Sequence, residues 1–245
     1  MVVRELVTRL GFSPDTAGLR KADTAVMRFA GKMQNVGRKM SFMITAPLVG
    51  MGIGVFKASM DFNKAMANIA TLIPGNIERV KSLKSTVQNL AIQFGKSTDD
   101  IAGGLYQVIS AFGDTADTEE ILKINTEAAA AGMATVTDAI NLTSAVTKAY
   151  GDTSAEAVQH SADLAFQTVK LGQTTFPELA SEIQNVTPLA STLGLKVEEL
   201  FGLFATLTGV TGDTNKVSTQ LASIMRAFIR PTENMKLAIK KLGYE

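Results

Sequence analysis

Apolar positions along this chain recur at helical rather than strand spacing. Beyond residue 77 they fall into short stripes, each long enough for one helix and separated by Gly, Pro, Asp or Thr. Glu78 to Phe94 carries Val80, Leu83, Val87, Leu90, Ala91 and Phe94 on one side, and Ile101, Leu105, Val108, Ile109 and Phe112 form the next stripe. Residues three, four and seven apart share one face of a helix with 3.6 residues per turn, so each stripe predicts an amphipathic helix laid on a core. Four more follow: Val158, Ala162, Ala165, Phe166, Val169; Phe176, Leu179, Ala180, Ile183, Val186, Ala190, Leu193; Val197, Leu200, Phe201, Phe204, Leu207; and Val217, Leu221, Ile224, Met225, Phe228. Upstream, Asp15 to Met43 reads as a longer amphipathic helix whose polar face holds Arg20, Lys21, Arg28, Lys32, Arg38 and Lys39. Only the first ten residues are compatible with a strand.

The boundaries carry their own chemistry. Ser97 with Asp100 has the spacing of a capping box, Asp117 with Glu120 marks another start, and Thr137-Asp138 opens a helix to Tyr150. Thr175-Phe-Pro-Glu178 is the strongest local signal, with a Thr cap, a Pro in the first turn and a Glu three residues after the cap. Gly113-Asp-Thr115, Gly151-Asp-Thr153 and Gly212-Asp-Thr214 predict three helix ends, because glycine accepts the left-handed conformation that follows a last turn. The Ala run 128–131 implies close packing, Pro188 should bend or shorten its helix, and Pro231 stops the last stripe. The predicted fold is all-α: short amphipathic helices in antiparallel hairpins forming a bundle, preceded by a longer N-terminal helix and a Gly/Pro-containing hydrophobic helix. Two parts are expected, a basic N-terminal segment over 1–75 and a helical core over 76–245.

The hydrophobic helix is expected within residues 40–56, a run of 17 uncharged residues. Phe42, Ile44, Pro47, Leu48, Gly50, Gly54 and Phe56 mark it as a helix-contact or membrane segment. Its length sits at the lower limit for spanning a bilayer, and Gly50 and Gly54 form a small-xxx-small pair that permits close helix approach. Two readings stand, a buried or oligomer-facing helix and a membrane insertion. The glycines do not form a dinucleotide-binding loop, since no βαβ context surrounds them.

Composition narrows the chemistry. The chain has 245 residues, no Cys, one His (His160), no Trp and 6% aromatics. Thiolate sites and disulfides are excluded, and His-based metal or triad chemistry is poorly supplied. The adjacent acids Asp99/Asp100, Glu119/Glu120 and Glu198/Glu199 each sit at a helix start, where carboxylates complement the helix dipole. No phosphate loop, nucleophile elbow or His/Glu metal motif is present. No catalytic, cofactor or metal site is therefore expected. A net charge of +1 hides segregation: residues 1–95 hold 13 Lys/Arg against 5 Asp/Glu, and residues 96–220 hold 6 against 16. Such asymmetry suits electrostatic association, although without a recognition module it does not support sequence-specific nucleic-acid binding.

Several segments, taken in order, resemble tail tape measure proteins of tailed phages. They are Thr45-Ala-Pro-Leu48, Phe56-Lys-Ala-Ser-Met-Asp-Phe62-Asn-Lys-Ala-Met66, Lys96-Ser-Thr-Asp-Asp-Ile101, Thr137-Asp-Ala-Ile140, Thr175-Phe-Pro-Glu-Leu179 and Leu193-Gly-Leu-Lys-Val-Glu-Glu-Leu200. The resemblance implies a structural, non-enzymatic virion protein made in the host cytoplasm. Such a protein occupies the tail tube lumen, sets tail length and is released during DNA ejection. Tail tube protein, tail assembly chaperones, distal tail or baseplate hub proteins and further copies of itself are the implied partners. The alternative is a membrane-interacting helical module assisting genome passage across the host membrane. Family members are usually much longer, so this chain is expected to be a portion of a larger protein. One continuous helix of this length would span ~370 Å, yet breaks every 15–20 residues favour folding back into hairpins.

Overall fold

The computed structural model describes residues 51–241, with side chains at 61–236 and 241. The chain divides into two units, Met1–Val55 and Phe56–Glu245, and the packing set out below is that of the second. Eleven α-helices follow one another among the described residues, with no strand between them. They are α1 (Met51–Leu72), α2 (Ile77–Phe94), α3 (Thr98–Phe112), α4 (Thr118–Ala131), α5 (Val136–Tyr150), α6 (Ala155–Leu171), α7 (Phe176–Glu182), α8 (Thr187–Thr192), α9 (Val197–Thr211), α10 (Thr214–Ile229) and α11 (Glu233–Lys241). A 3-10 turn, Ile183–Asn185, joins α7 to α8. The all-α expectation holds.

Local chemistry explains most boundaries. Thr175 and Glu178 form the reciprocal capping box expected of them. Gly113, Gly151 and Gly212 end α3, α5 and α9 with φ of 81°, 81° and 64°, the region that only glycine enters without strain. Pro188 divides its helix as expected. It has no N–H for the carbonyl four residues back, so α7 stops at Glu182 and α8 restarts with Pro188 in its first turn. Elsewhere the caps differ from the sequence reading. The box that opens α5 is Thr135 with Asp138, two residues ahead of Thr137. Ser97 caps α3 through the Asp100 N–H, but the Asp100 carboxylate turns away to accept the Val136 N–H at 2.9 Å. Asp117 caps nothing with its side chain; the Thr118 hydroxyl accepts the Thr115 N–H at 2.8 Å instead.

Most consecutive helices from α2 to α10 pack on one another, and α5 lies at the centre, against α3, α4, α6, α7 and α8. Its Val136, Ala139, Ile140, Leu142 and Val146 are buried, which is why its apolar positions wrap more than one face. A polar bridge fixes α4 to α5: the Thr143 hydroxyl donates to Asn125 Oδ1 at 2.9 Å inside the core. In α3, Gly104 permits the closest approach, since a Cβ there would fall 2.3 Å from Val136 Cγ1.

One stripe is misplaced by the periodicity. In α10, Val217, Leu221 and Met225 are buried as expected, whereas Ile224 and Phe228 are 54% and 60% exposed. Ser218 and Ala222 take their place on the buried face, and the Ser218 hydroxyl donates to the Glu182 carbonyl at 3.1 Å. A satisfied hydroxyl can enter a core, so the buried arc is rotated away from Ile224 and Phe228.

No helix among the described residues is long and apolar enough to cross a membrane. Phe42, Ile44, Pro47, Leu48 and Gly50 of the hydrophobic segment lie outside the described residues, as do the Asp15–Met43 stretch and its basic face. Gly54 and Phe56 belong to the first two turns of α1.

Candidate functional site

Most of the carboxylates that sequence singled out are engaged in capping or bracing helices. Asp100 accepts from Val136 N and faces Lys96 Nζ at 3.4 Å, while that ammonium also donates to the Ala134 carbonyl. Glu119 receives Arg79 and the Thr86 hydroxyl, and Arg79 simultaneously grips Asp114 through Nε and Nη2. This fork ties α2 to the turn after α3 and to the start of α4. Glu120 pairs with Lys123, one turn on in its own helix. Glu199 Oε2 accepts the Lys196 N–H at 2.8 Å and so caps α9. Among the described residues no group of three or more His, Cys, Asp or Glu side chains converges as a metal site.

Two hollows remain. The first, about 250 Å³, lies where α7 and α10 begin and is lined by Glu178, Glu182, Asp213 and Asn215. Its carboxylates are occupied: Glu178 by the Thr175 N–H, Glu182 by Asn215, and Asp213 by the Lys216 N–H. It is a product of capping.

The second, about 310 Å³, opens where the end of α5 meets the start of α6 and of α9. Val146, Ala157 and Val197 give it apolar walls, and Asp152, Glu156 and His160 stand around it. His160, half exposed on α6, pairs with Glu198, Nε2 to Oε1 at 2.9 Å, across 38 positions, while Asp163 is bonded to Gln159. Both partners of the pair are half exposed. The Glu198 carboxyl is held below its usual range by its own backbone N–H and then by His160. Asp152 is likewise lowered by the backbone and hydroxyl groups of Ser154. Tyr150 lines the cleft, with its hydroxyl shut off from solvent and without a hydrogen-bond partner. Its pKa is raised, first by burial and then by the negative charges of Glu198 and Glu199. No local motif announces this cleft, because its members come from three helices and meet only when those helices pack.

Outside the cleft, the exposed apolar side chains include Ile92, Met133, Leu171, Val210, Ile224 and Phe228. Leu171 and Val210 share one end of the bundle, where a Cβ on Gly209 would stand 3.7 Å from the Leu171 carbonyl. Scattered apolar residues are normal on a monomer.

This chain has relatives among phage tail proteins. It is 19% identical over 211 residues to the tape measure protein of Pneumococcus phage Dp-1, an alignment covering 86% of this chain and 18% of that protein. The chain thus spans less than a fifth of that relative's length. No solved structure matches it. The model of the family described as phage-related minor tail protein matches residues 88–245, from within α2 through every helix that follows. With more than half of its length matched, the chain belongs to the phage-related minor tail protein family.

Proposed function

We propose that this chain acts as part of a phage tail tape measure protein: a structural component that lies in the tail tube lumen, takes part in setting tail length and leaves with DNA ejection. The observation that supports it most directly is the alignment of 86% of the chain with a tape measure protein. The role is one of assembly rather than catalysis, and the tail tube, the tail assembly chaperones, the distal tail hub and further copies of the chain are its partners. Folding bears on how the role is divided. A ruler converts residue number into distance only where the chain is extended, at ~1.5 Å per residue in a helix. Helices α2 to α10 instead pack back on one another, so residues added there do not lengthen a rod. In this reading the bundle is a docking module, residues 76–245 forming one part and residues 1–75 a basic, contact-making part, and measurement resides in other stretches of the complete protein.

The test is an in-frame deletion of residues 76–241 within the complete gene, with tails counted and measured by electron microscopy. Loss of tails, or tails of uncontrolled length, supports the reading, whereas tails shortened by ~1.5 Å per deleted residue would make the bundle part of the ruler. Tails of normal number and length, on fully infectious particles, refute it.

A further inference from the structure

The helices from α2 to α10 form one hairpin unit repeated four times. The second helices of the units are α3, α5, α7 with α8, and α10. They are capped by Ser97, Thr135, Thr175 and Asp213, which stand 38, 40 and 38 residues apart, and each cap side chain accepts the N–H three residues on. The first helices, α2, α4, α6 and α9, carry Thr86, Thr126, Thr168 and Thr208, 40, 42 and 40 residues apart, and each hydroxyl donates to the carbonyl four residues back. First helices pack on first helices in chain order, and second helices on second. The hairpins therefore stack in a row, as repeats do when none can bury its apolar face alone.

Positions counted from the caps show which flank a following hairpin covers. Seven residues after Ser97, a Cβ on Gly104 would run into Val136 and Ile140 of α5. Seven after Thr175, Glu182 accepts the Asn215 amide and the Ser218 hydroxyl of α10. Eleven after the first three caps, Val108, Val146 and Val186 are buried, and fifteen after them Phe112 and Tyr150 pack partly buried on the core while Ala190 is buried in it. The same three positions of α10 are Gln220, Ile224 and Phe228, and all are exposed. Thus α10 carries two large apolar side chains on the flank that is an interface in each earlier hairpin. The first hairpin has α1 beside it, where Phe62, Met66 and Ile69 are buried and Lys84 of α2 donates to Asn63.

Charge separates the occupants of that flank. From Thr214 to Arg230 the charged residues are Lys216, Arg226 and Arg230, so a second copy laid flank to flank would set like charges together. A further hairpin of the same repeat brings the opposite sign. Helices α4 and α9 open with Glu119/Glu120 and Glu198/Glu199, and Glu119 and Glu198 pair with Arg79 and His160 of the preceding first helix. The chain also starts such a unit in register. First helices open at Ile77, Thr118, Ala155 and Val197, 37 to 42 residues apart, and α11 opens at Glu233, 36 further on, with the Thr232 hydroxyl accepting the Met235 N–H.

We propose that the flank of Gln220, Ile224 and Phe228 is the seat of a fifth helical hairpin of this repeat, opened by α11, whose second helix lies on α10 as α5 lies on α3. That the complete tail protein supplies this helix rests on the assembly reading above; the repeat register does not.

The test compares the 245-residue chain with the protein expressed from the complete gene. The chain has no Cys, so Phe228→Cys gives it a single reactive thiol, and Leu171→Cys, at an exposed position of an inner hairpin, is the control. Maleimide labelling is read peptide by peptide by mass spectrometry, and circular dichroism verifies that each variant folds. Labelling at 228 should slow by about tenfold or more in the complete protein, as for a group freed only by local opening, while labelling at 171 stays the same. Gln220→Cys is then paired with a second cysteine 32 to 36 residues downstream, the separations of Gly104 from Val136 and of Glu182 from Ser218. At least one pair should close a disulfide within one chain on mild oxidation. Equal labelling of position 228 in both proteins, or no disulfide at any of those separations, overturns the proposal. Protection with disulfides only between chains overturns it too, assigning the flank to a second copy. None of these results alters the tail-length experiment, so failure of one reading is not mistaken for failure of the other.

Discussion

Gly103 and Gly104 are neighbours in α3, and replacing each by alanine should move stability in opposite directions. In the interior of a helix, alanine is preferred to glycine by about 0.5–1 kcal/mol, because glycine loses more backbone freedom on folding. At Gly103 nothing opposes that gain. A new Cβ would meet only Thr137 Oγ1, at 3.9 Å, which is ordinary contact. Gly103→Ala should therefore stabilise by about 0.5–1 kcal/mol, a rise in Tm of about 1–4 °C for a domain of this size. At Gly104 the Cβ would lie 2.3 Å from Val136 Cγ1, 3.0 Å from Val136 Cβ and 3.2 Å from Ile140 Cδ1. Val136 is completely buried and, being β-branched, cannot swing clear. Overpacking of this kind costs about 1–3 kcal/mol, so the net effect is a loss of about 0.5–2 kcal/mol. Urea unfolding monitored by circular dichroism reads both variants, with an unchanged m-value required for the comparison. Adding Val136→Ala to Gly104→Ala should restore about 1–2 kcal/mol relative to additivity, since the two sites are in contact. If Gly104→Ala stabilises as Gly103→Ala does, or the double variant is additive, the close α3–α5 approach is not there.

Other substitutions probe other parts of the bundle. Phe204→Ala, at a fully buried ring, should cost about 3–5 kcal/mol through the cavity it leaves; a chemical-denaturation midpoint close to wild type would place the ring outside the core. Ile224→Ser and Phe228→Ser should each stay within about 0.5 kcal/mol of wild type in the same assay, whereas a larger loss would restore both residues to the core. Met133 has φ of 53°, so Met133→Gly should raise Tm, the relief of left-handed strain exceeding the entropy of glycine by about 0.5–1 kcal/mol. Glu198 has a lowered pKa, so its contribution is complete above the ordinary carboxylate value and is lost as pH falls through the folded one. Glu198→Gln should flatten the stability–pH curve between about pH 5 and 3 by less than about 1 kcal/mol, because the group is half exposed; an unaltered slope would mean that Glu198 is not held below the usual carboxylate range.

Periodicity and caps determine what neighbouring residues decide among themselves. The stripe Ile101, Leu105, Val108 and Ile109, the box of Thr175 with Glu178, the break at Pro188 and the glycine ends at 113, 151 and 212 are all legible because their physics is contained within one or two turns. The same reading fails for Thr126, Thr143, Thr147, Thr168 and Thr208, which are buried in the core. Threonine looks like a surface residue until its hydroxyl finds a carbonyl in the preceding turn, as Thr126 and Thr208 do with Leu122 and Phe204. Ile224 and Phe228 fail in the opposite sense, since which flank of α10 is covered depends on α7 and α8.

By itself the sequence determined that the chain is helical and where most of its helices begin and end. Tertiary structure alone decided which helix is central, that Gly104 and not Gly103 is the point of closest approach, and that Tyr150, His160 and Glu198 gather around one cleft. The physical reason is range. Helix starts and stops are settled by hydrogen bonds a few residues apart, whereas a cleft assembled from α5, α6 and α9 depends on how three rigid elements lie together, which no local spacing encodes.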